Sequence, residues 1–98
     1  IVIVCNNGMY GTIRMHQERE YPGRVSGTDL ANPDFAALAR ACGGFGAHVE
    51  RTEDFARAFD EAAASGLPAI IELSISPEAL TPVSSLSETR AKALAAQV

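Results

Sequence analysis

The sequence lacks the features that mark several specialised protein classes. It has two cysteines in 98 residues. Cys5 and Cys42 have no metal-ligand spacing, so we expect reduced, buried thiols rather than a zinc site or a disulfide framework. No apolar run approaches the roughly 20 residues that cross a bilayer, and the apolar start lacks the basic flank of a signal peptide. A net charge of −4 without a basic cluster argues against nucleic acid or an anionic membrane as partner. We therefore expect a soluble, cytoplasmic protein.

The sequence also lacks an initial methionine. Ile1 already lies inside a predicted strand, so we expect the chain to be the C-terminal part of something longer. Its 98 residues, of which 47% are hydrophobic, suffice for the core of one small domain.

Hydrophobic patterning predicts alternating strands and helices. The strands are predicted at residues 1–5, 45–50 and 69–75, and the helices at residues 12–20, 33–42, 53–65 and 88–97. This order is typical of an α/β fold, a parallel sheet layered between helices. The β-branched run at residues 1–5 predicts a strand buried on both faces. Three strands make a thin sheet, so we expect at least one edge to need further chain to cover it.

Local signals define the helices. Asn32, Thr52 and Ser87 are predicted to cap the last three of them. Apolar residues at helical spacing predict two buried helix faces. They comprise Phe35, Leu38, Ala39 and Cys42 on one helix and Phe55, Phe59, Ala62 and Ala63 on the next.

Two adjacent asparagines, Asn6 and Asn7, follow the first predicted strand. In open α/β sheets, ligands bind outside the carboxyl ends of the strands. Carboxamide oxygens suit Mg²⁺ or Ca²⁺, and Gly8 and Gly11 would let the backbone approach a phosphate. Asn-Gly is also a common turn signal. These residues alone therefore allow either a metal–diphosphate site or a plain turn.

The order of features closely resembles the C-terminal domain of thiamine-diphosphate-dependent enzymes of the acetolactate synthase, benzoylformate decarboxylase and pyruvate decarboxylase group. The resemblance is carried by IVIVCNNGMYGTIRMHQ, LANPDFAALARACGGFGAHVE and GLPAIIELSISPEALTP, from Ile1 to about Pro82. In that family the cofactor motif opens with Gly-Asp-Gly and ends with Asn-Asn, and only the Asn-Asn end is present here. The resemblance implies that residues 1–98 are the C-terminal part of a thiamine-diphosphate-binding domain, without its N-terminal part or the enzyme's other domains.

The resemblance also implies roles for individual residues. The Asn7 side chain and the Met9 main-chain carbonyl correspond to Mg²⁺ ligands. The cofactor-binding positions are Asn6, Asn7, Gly8, Met9, Tyr10 and Gly11, and the substrate-pocket positions are Thr12 and Ile13. The family's aspartate metal ligand and activating glutamate have no counterpart, so no residue is assigned a catalytic role and the chain alone is expected to be inactive.

The implied function is that of a thiamine-diphosphate- and Mg²⁺-dependent lyase or transferase. Its substrate would be a 2-oxo acid, decarboxylated or carboligated, and the intact protein would be a homodimer or homotetramer. Two alternatives stay open: a non-catalytic α/β binding or regulatory module, and a different phosphate-binding enzyme. The absence of a Gly-x-Gly-x-x-Gly or Walker-type loop argues against the latter.

The remaining polar residues favour structural interpretations. His16 could face a substrate as a proton donor, but exposed polar surface is the commoner role. His48 is expected to be structural, and residues 15–20 are predicted to form an exposed charged helix face. Arg14 and Arg24 could meet a substrate carboxylate, but solvated surface is the default expectation. Glu72 lies within a predicted strand, where a carboxylate needs a partner.

Overall fold

The computed structural model of the chain describes residues 1–97, which form two compact units. The sheet unit comprises residues 1–6 and 32–75, and the helical unit comprises residues 7–31 and the chain from Ser76 on. In order, the elements are β1 (Val2–Asn6), α1 (Gly11–Glu20), α2 (Phe35–Ala41), β2 (Phe45–Val49), a 3₁₀ turn (Thr52–Asp54), α3 (Phe55–Ser65), β3 (Ala69–Ser74) and α4 (Leu86–Ala96). Within the described residues, no helix is both long and apolar enough to cross a membrane.

The sheet is parallel, in the order β1-β3-β2. On the central strand β3, Glu72 pairs in register with Val4 on one side and with His48 on the other. The predicted fold class, an α/β fold with a three-stranded parallel sheet and flanking helices, is therefore confirmed.

Helices α2 and α3 cover opposite faces of this sheet. Gly46 of β2 lies against α2, because a Cβ placed on it would be 2.0 Å from the Ala36 carbonyl oxygen. Successive strand residues face opposite sides, so the neighbouring positions of β2 face away from α2. Those positions belong to the core that α3 covers, whose buried members are Val49, Ala58, Ala62, Ala69 and Ile71. The sheet unit thus has three layers.

Strand β1 departs from the prediction that it is buried on both faces. Ile1, Val2 and Ile3 are 53%, 56% and 44% exposed. The reason is the strand order, which places β3 in the centre and gives β1 a hydrogen-bonded neighbour on one side only. The expectation of buried thiols is wrong for the same strand, since Cys5 is exposed, and also for Cys42 at the end of α2.

The predicted cap of α2 is wrong by two residues. Asp34, not Asn32, is the N-cap, and its side chain accepts a hydrogen bond of 2.9 Å from the Ala37 N–H. Both residue types cap well, so sequence alone could not separate them.

The caps of the last two helices also differ from prediction. Ser85, not Ser87, caps α4 in a reciprocal capping box with Glu88. Thr52 begins the 3₁₀ turn that runs directly into α3, so it does not cap that helix with its side chain.

The buried faces of α2 and α3 are made mainly of alanine. The buried positions of these two helices are Ala36, Ala39, Ala58 and Ala62. Leu38 and Phe59, predicted to be buried, are 47% and 40% exposed. The spacing thus predicted the two helices correctly. Alanines make the contact with the sheet, however, and the larger Leu38 and Phe59 lie at the edge of that contact.

Candidate cofactor site

Asn6 ends β1 in the sheet unit. Its Oδ1 accepts a hydrogen bond of 2.9 Å from Nδ2 of Asn32, and its carbonyl accepts one of 3.0 Å from the Ile75 N–H. The carboxamide therefore links the end of β1 to the segment that precedes α2.

The predicted cofactor loop, residues 7–11, begins the helical unit with a tight turn. Asn7 Oδ1 accepts a hydrogen bond of 3.2 Å from the Met9 N–H, which closes an Asx-type turn. Gly8 has φ +73°, in the left-handed region where glycine is free of Cβ strain. The Asn-Gly pair thus forms a turn, and that turn determines where the Met9 main chain lies.

A return segment, residues 28–30, pairs with the cofactor loop. The Tyr10 N–H donates to the Thr28 carbonyl and the Leu30 N–H donates to the Gly8 carbonyl, both at 2.8 Å. These two bonds flank an antiparallel bridge between Met9 and Asp29. In this arrangement Met9 and Asp29, the residues directly opposite each other, are not hydrogen-bonded to each other. The bridge therefore does not use the Met9 carbonyl as an acceptor.

Helix α1 begins directly after the turn with no side-chain cap on Tyr10 and no acidic residue in its first turn. The first N–H groups of a helix lack intrahelical partners and carry the positive end of the dipole. A Cβ on Gly11 would lie 2.8 Å from Asn7 Nδ2 and 2.9 Å from Leu80 Cδ2. Glycine at this position therefore lets the Asn7 carboxamide lie against the start of the helix.

The donor set of this loop suits part of a metal–diphosphate group. Asn7 Oδ1 uses one lone pair for the Met9 N–H and keeps a second, and the Met9 carbonyl is a further neutral oxygen of the kind that Mg²⁺ binds. Residues 1–97 contain no cluster of three or more His, Cys, Asp or Glu that could hold a metal ion. The oxygens that this loop could offer to a metal ion are therefore neutral ones.

Five of the eight predicted site residues line one cavity of about 320 Å³: Met9, Tyr10, Gly11, Thr12 and Ile13. Thr12 and Ile13 form the exposed first turn of α1, and 54% of Ile13 is accessible to solvent. The structure therefore brings the positions assigned to the cofactor and to the substrate pocket onto one surface of the helical unit.

Sequence reasoning missed a buried ion cluster in this unit. Glu18, predicted to lie on an exposed charged face, is 0% exposed. Arg90 Nε and Nη2 each donate to its carboxylate at 2.7 Å, and Arg14 Nε and the Gly23 N–H donate at 3.2 and 2.9 Å. The i,i+4 spacing of Arg14 and Glu18 could have suggested one of these pairs. Arg90, 72 residues away in sequence, carried no local signal.

The cluster lowers the pKa of Glu18 from its usual 4.5 to about 2, chiefly through the hydrogen bonds from Arg90 and despite the opposing effect of burial. Because the folded-state pKa lies below the unfolded one, the stabilisation is complete above the unfolded value and is lost as the pH falls toward 2.

We expect up to roughly 3 kcal/mol of the free energy of unfolding to be lost between about pH 5 and pH 2 through this group. Urea unfolding of the full-length protein across that range measures the loss. The variant Glu18→Gln should have a shallower pH dependence than the wild type, and equal slopes would show that Glu18 does not titrate as described.

Glu72, to which no chemistry was assigned, has structural partners. Its carboxylate accepts a hydrogen bond of 2.9 Å from the Phe35 N–H at the start of α2, and its Oε2 lies 3.4 Å from His48 Nε2. The same His48 nitrogen lies 2.6 Å from Ser74 Oγ. Glu72 therefore connects β3 to α2 and to β2. His16 is exposed on α1, as polar surface would be.

Comparison with known proteins assigns the chain to a family. Residues 1–73 match the family described as "Thiamine pyrophosphate enzyme, C-terminal TPP binding domain". Two curated proteins that are similar to this chain have names that point to the same family or to an enzyme. One is Bacillus subtilis (strain 168) YdaP, whose name describes a thiamine pyrophosphate-containing protein; it is 37% identical over 82 residues. The other is an acetolactate synthase large subunit of Parasynechococcus marenigrum (strain WH8102), 36% identical over 76 residues.

The matches cover most of this chain but a small share of each relative. They include 79% and 76% of the chain, and 13% and 12% of the respective relatives. The chain therefore belongs to the thiamine pyrophosphate enzymes, as a C-terminal TPP-binding domain.

Proposed function

We propose that this chain supplies part of the cofactor site of a thiamine-diphosphate- and Mg²⁺-dependent enzyme that acts on a 2-oxo acid by decarboxylation or carboligation. The observation that carries the proposal is the cofactor loop, residues 7–11. It combines an Asn7-closed turn, a Met9 carbonyl outside the bridge and an uncapped helix start. The similarity to an acetolactate synthase large subunit supports the reaction class.

In this proposal the Asn7 carboxamide oxygen and the Met9 carbonyl bind the metal ion. The first N–H groups of α1 donate to the diphosphate, where the positive end of the helix favours negative charge. Gly8 makes the turn, and Tyr10 and Gly11 lie against the diphosphate. Asn6 holds the strand end from which the loop departs through its bond to Asn32.

Thiamine diphosphate, when bound, supplies the electron sink for decarboxylation of a 2-oxo acid. The chain's own contribution to the reaction is anchoring and shape. Thr12 and Ile13 would form one wall of the substrate pocket, and the exposed apolar surface of Ile13 would exclude water from that side. No residue of the chain is proposed to transfer a proton.

The assembly and location of the intact protein are part of the same proposal. We expect a cytoplasmic homodimer or homotetramer in which residues 1–98 complete a cofactor-binding domain begun elsewhere in the polypeptide. Neither nucleic acid nor membrane is an expected partner. The chain alone should be inactive, because the family resemblance places the acidic metal ligand and the activating glutamate outside it.

Replacing Asn7 by alanine should lower the affinity of the full-length protein for thiamine diphosphate in the presence of Mg²⁺. We expect a loss of at least roughly 10- to 100-fold, because that range is typical when only a group that supports a metal ligand is removed, and Asn7 is proposed as a ligand itself. Isothermal titration calorimetry measures it. Gln97→Ala removes a carboxamide at the end of α4, outside the loop, and should bind like the wild type.

Three outcomes would decide between the proposal and its alternatives. If the wild-type protein does not bind thiamine diphosphate, or if Asn7→Ala binds it equally well, the proposed cofactor site is wrong. If the cofactor binds as expected but no member of a panel of 2-oxo acids is converted, the non-catalytic binding module is the better description.

A further inference from the structure

We propose that Gln17 and Thr28 are positioning residues for the cofactor loop, an inference that rests on the proposed function. The two side chains form what we call the Gln17–Thr28 clamp. Gln17 Oε1 accepts a hydrogen bond of 3.1 Å from Thr28 Oγ1, and Gln17 Nε2 donates one of 2.7 Å to the Ser26 carbonyl. Both ends of one carboxamide on α1 thus hold the chain that returns toward the loop.

The clamp holds Thr28, whose main chain is hydrogen-bonded to the cofactor loop. Thr28 is 2% exposed, and its carbonyl is the acceptor of the 2.8 Å bond from the Tyr10 N–H. Asp29, the next residue, bridges Met9. A shift of Thr28 would therefore move Tyr10, through the hydrogen bond to its N–H, and the Met9 main chain, through the bridge to Asp29. Tyr10 is proposed to lie against the diphosphate, and the Met9 carbonyl is proposed to bind the metal ion.

Hydrogen bonds and the chain itself join three segments of the helical unit in a ring: the cofactor loop, α1 and the return segment. The cofactor loop leads into α1, α1 holds the return segment through Gln17, and the return segment bonds back to the loop at Tyr10 and Gly8. Glu18, the next residue of α1, accepts a hydrogen bond from the Gly23 N–H in the loop that leads to the return segment. Without Gln17, residues 26–30 would keep their two backbone bonds to the loop and the long, exposed ion pair of Asp29 with Arg14, whose Nη1 lies 3.9 Å from Asp29 Oδ1. They would lose the side-chain hydrogen bonds that Gln17 makes to Ser26 and Thr28.

Metal geometry makes such positioning consequential. Mg²⁺ binds reluctantly unless its ligands sit near ideal octahedral positions at about 2.1 Å. A carbonyl displaced by a few tenths of an ångström would therefore bind the ion less well even though every ligand is still present. The clamp should consequently affect the affinity for the Mg²⁺–cofactor pair without contacting either.

The test is a double-mutant cycle in the full-length protein with Thr28→Val, which keeps the volume and removes the hydroxyl, and Gln17→Met, which keeps the length and removes the carboxamide. We expect each variant to bind thiamine diphosphate roughly five- to tenfold more weakly at fixed Mg²⁺, and to need more Mg²⁺ for half-saturation. The double variant should be little worse than Gln17→Met alone, because that substitution already removes the bond from Thr28 together with the bond to Ser26.

A readout on the cofactor-free protein separates positioning from general destabilisation. Amide hydrogen exchange at Tyr10 and Leu30 should be faster in both single variants. The control is Ser85→Ala, which removes the α4 cap, whose side-chain contacts lie with Glu88. It should lower the thermal stability while leaving both the cofactor affinity and the exchange of Tyr10 unchanged.

The outcomes distinguish this inference from the proposed function. If the wild type binds the cofactor and Asn7→Ala weakens it, but Thr28→Val and Gln17→Met bind like the wild type, the clamp has no positioning role. The same conclusion follows if Ser85→Ala weakens binding as much as they do. If the wild type does not bind at all, the proposed function fails first and the clamp's role in cofactor binding fails with it.

Discussion

Substitution of Glu18 by glutamine is expected to lower the free energy of unfolding by about 3 kcal/mol, near the lower end of the 3–5 kcal/mol typical when one partner of a buried ion pair is removed. The carboxylate is fully buried and accepts four hydrogen bonds, three of them from two arginines. A neutral amide of the same shape removes the buried counter-charge of both guanidinium groups, and Arg14 keeps only the exposed carboxylate of Asp29, 3.9 Å from its Nη1. The side chains of Arg90 and Arg14 remain 36% and 16% exposed, so water offsets part of the loss.

Urea unfolding of the full-length protein at pH 7 measures this effect. The matched control is Glu61→Gln, which breaks an i,i+4 pair with Arg57 whose side chains are 52% and 85% exposed. That pair is solvated, so its loss should change stability by less than about 0.5 kcal/mol. Equal effects of the two substitutions would mean that the Glu18 cluster contributes no more than a surface ion pair.

Truncation of Ile71 to alanine is expected to destabilise the protein by about 3 kcal/mol, within the 2–5 kcal/mol range for buried aliphatic residues. Ile71 is 0% exposed on the central strand, between Ile3 and Ala47 in register. Alanines form much of the surrounding helix surface, and small rigid neighbours cannot reach into the space that the lost methyl groups leave.

A graded series tests this explanation. Ile71→Val should lower the free energy of unfolding by only about 1 kcal/mol, because it removes a single methylene. Val83→Ala, at a position 89% exposed, should change it by less than about 0.5 kcal/mol. If Ile71→Ala lowered the free energy of unfolding no more than Val83→Ala, the explanation would be wrong, because the sheet unit would then have repacked around the lost side chain.

The two substitutions lie in different units, so they should differ in their effect on cofactor binding. Glu18 belongs to the helical unit that contains the cofactor loop, whereas Ile71 lies in the core of the sheet unit. Ligand that binds only the folded state adds stability in proportion to the logarithm of its concentration over Kd. If the Glu18 cluster supports the cofactor loop, Glu18→Gln weakens thiamine diphosphate binding and Ile71→Ala does not. The same concentration of thiamine diphosphate should then raise the unfolding temperature less for Glu18→Gln than for Ile71→Ala.

The sequence by itself determined the order of the elements and the place of the candidate site. Strands and helices follow from local periodicity, and the turn at Asn7 and Gly8 follows from the chemistry of two adjacent residues, so neither needs a distant partner. The same local order was sufficient to indicate the thiamine-diphosphate family, which the match over residues 1–73 confirms.

Only the tertiary structure decided which groups are buried. The apolar run of β1 suits a central or an edge strand equally well, and its edge position depends on β3, whose residues lie some 70 positions later. The same holds for Glu18, whose burial depends on Arg90, and for the clamp, in which Gln17 meets Thr28 across a loop without periodicity. Propensities act between neighbours in sequence, whereas burial and ion pairing depend on neighbours in space that no local pattern specifies.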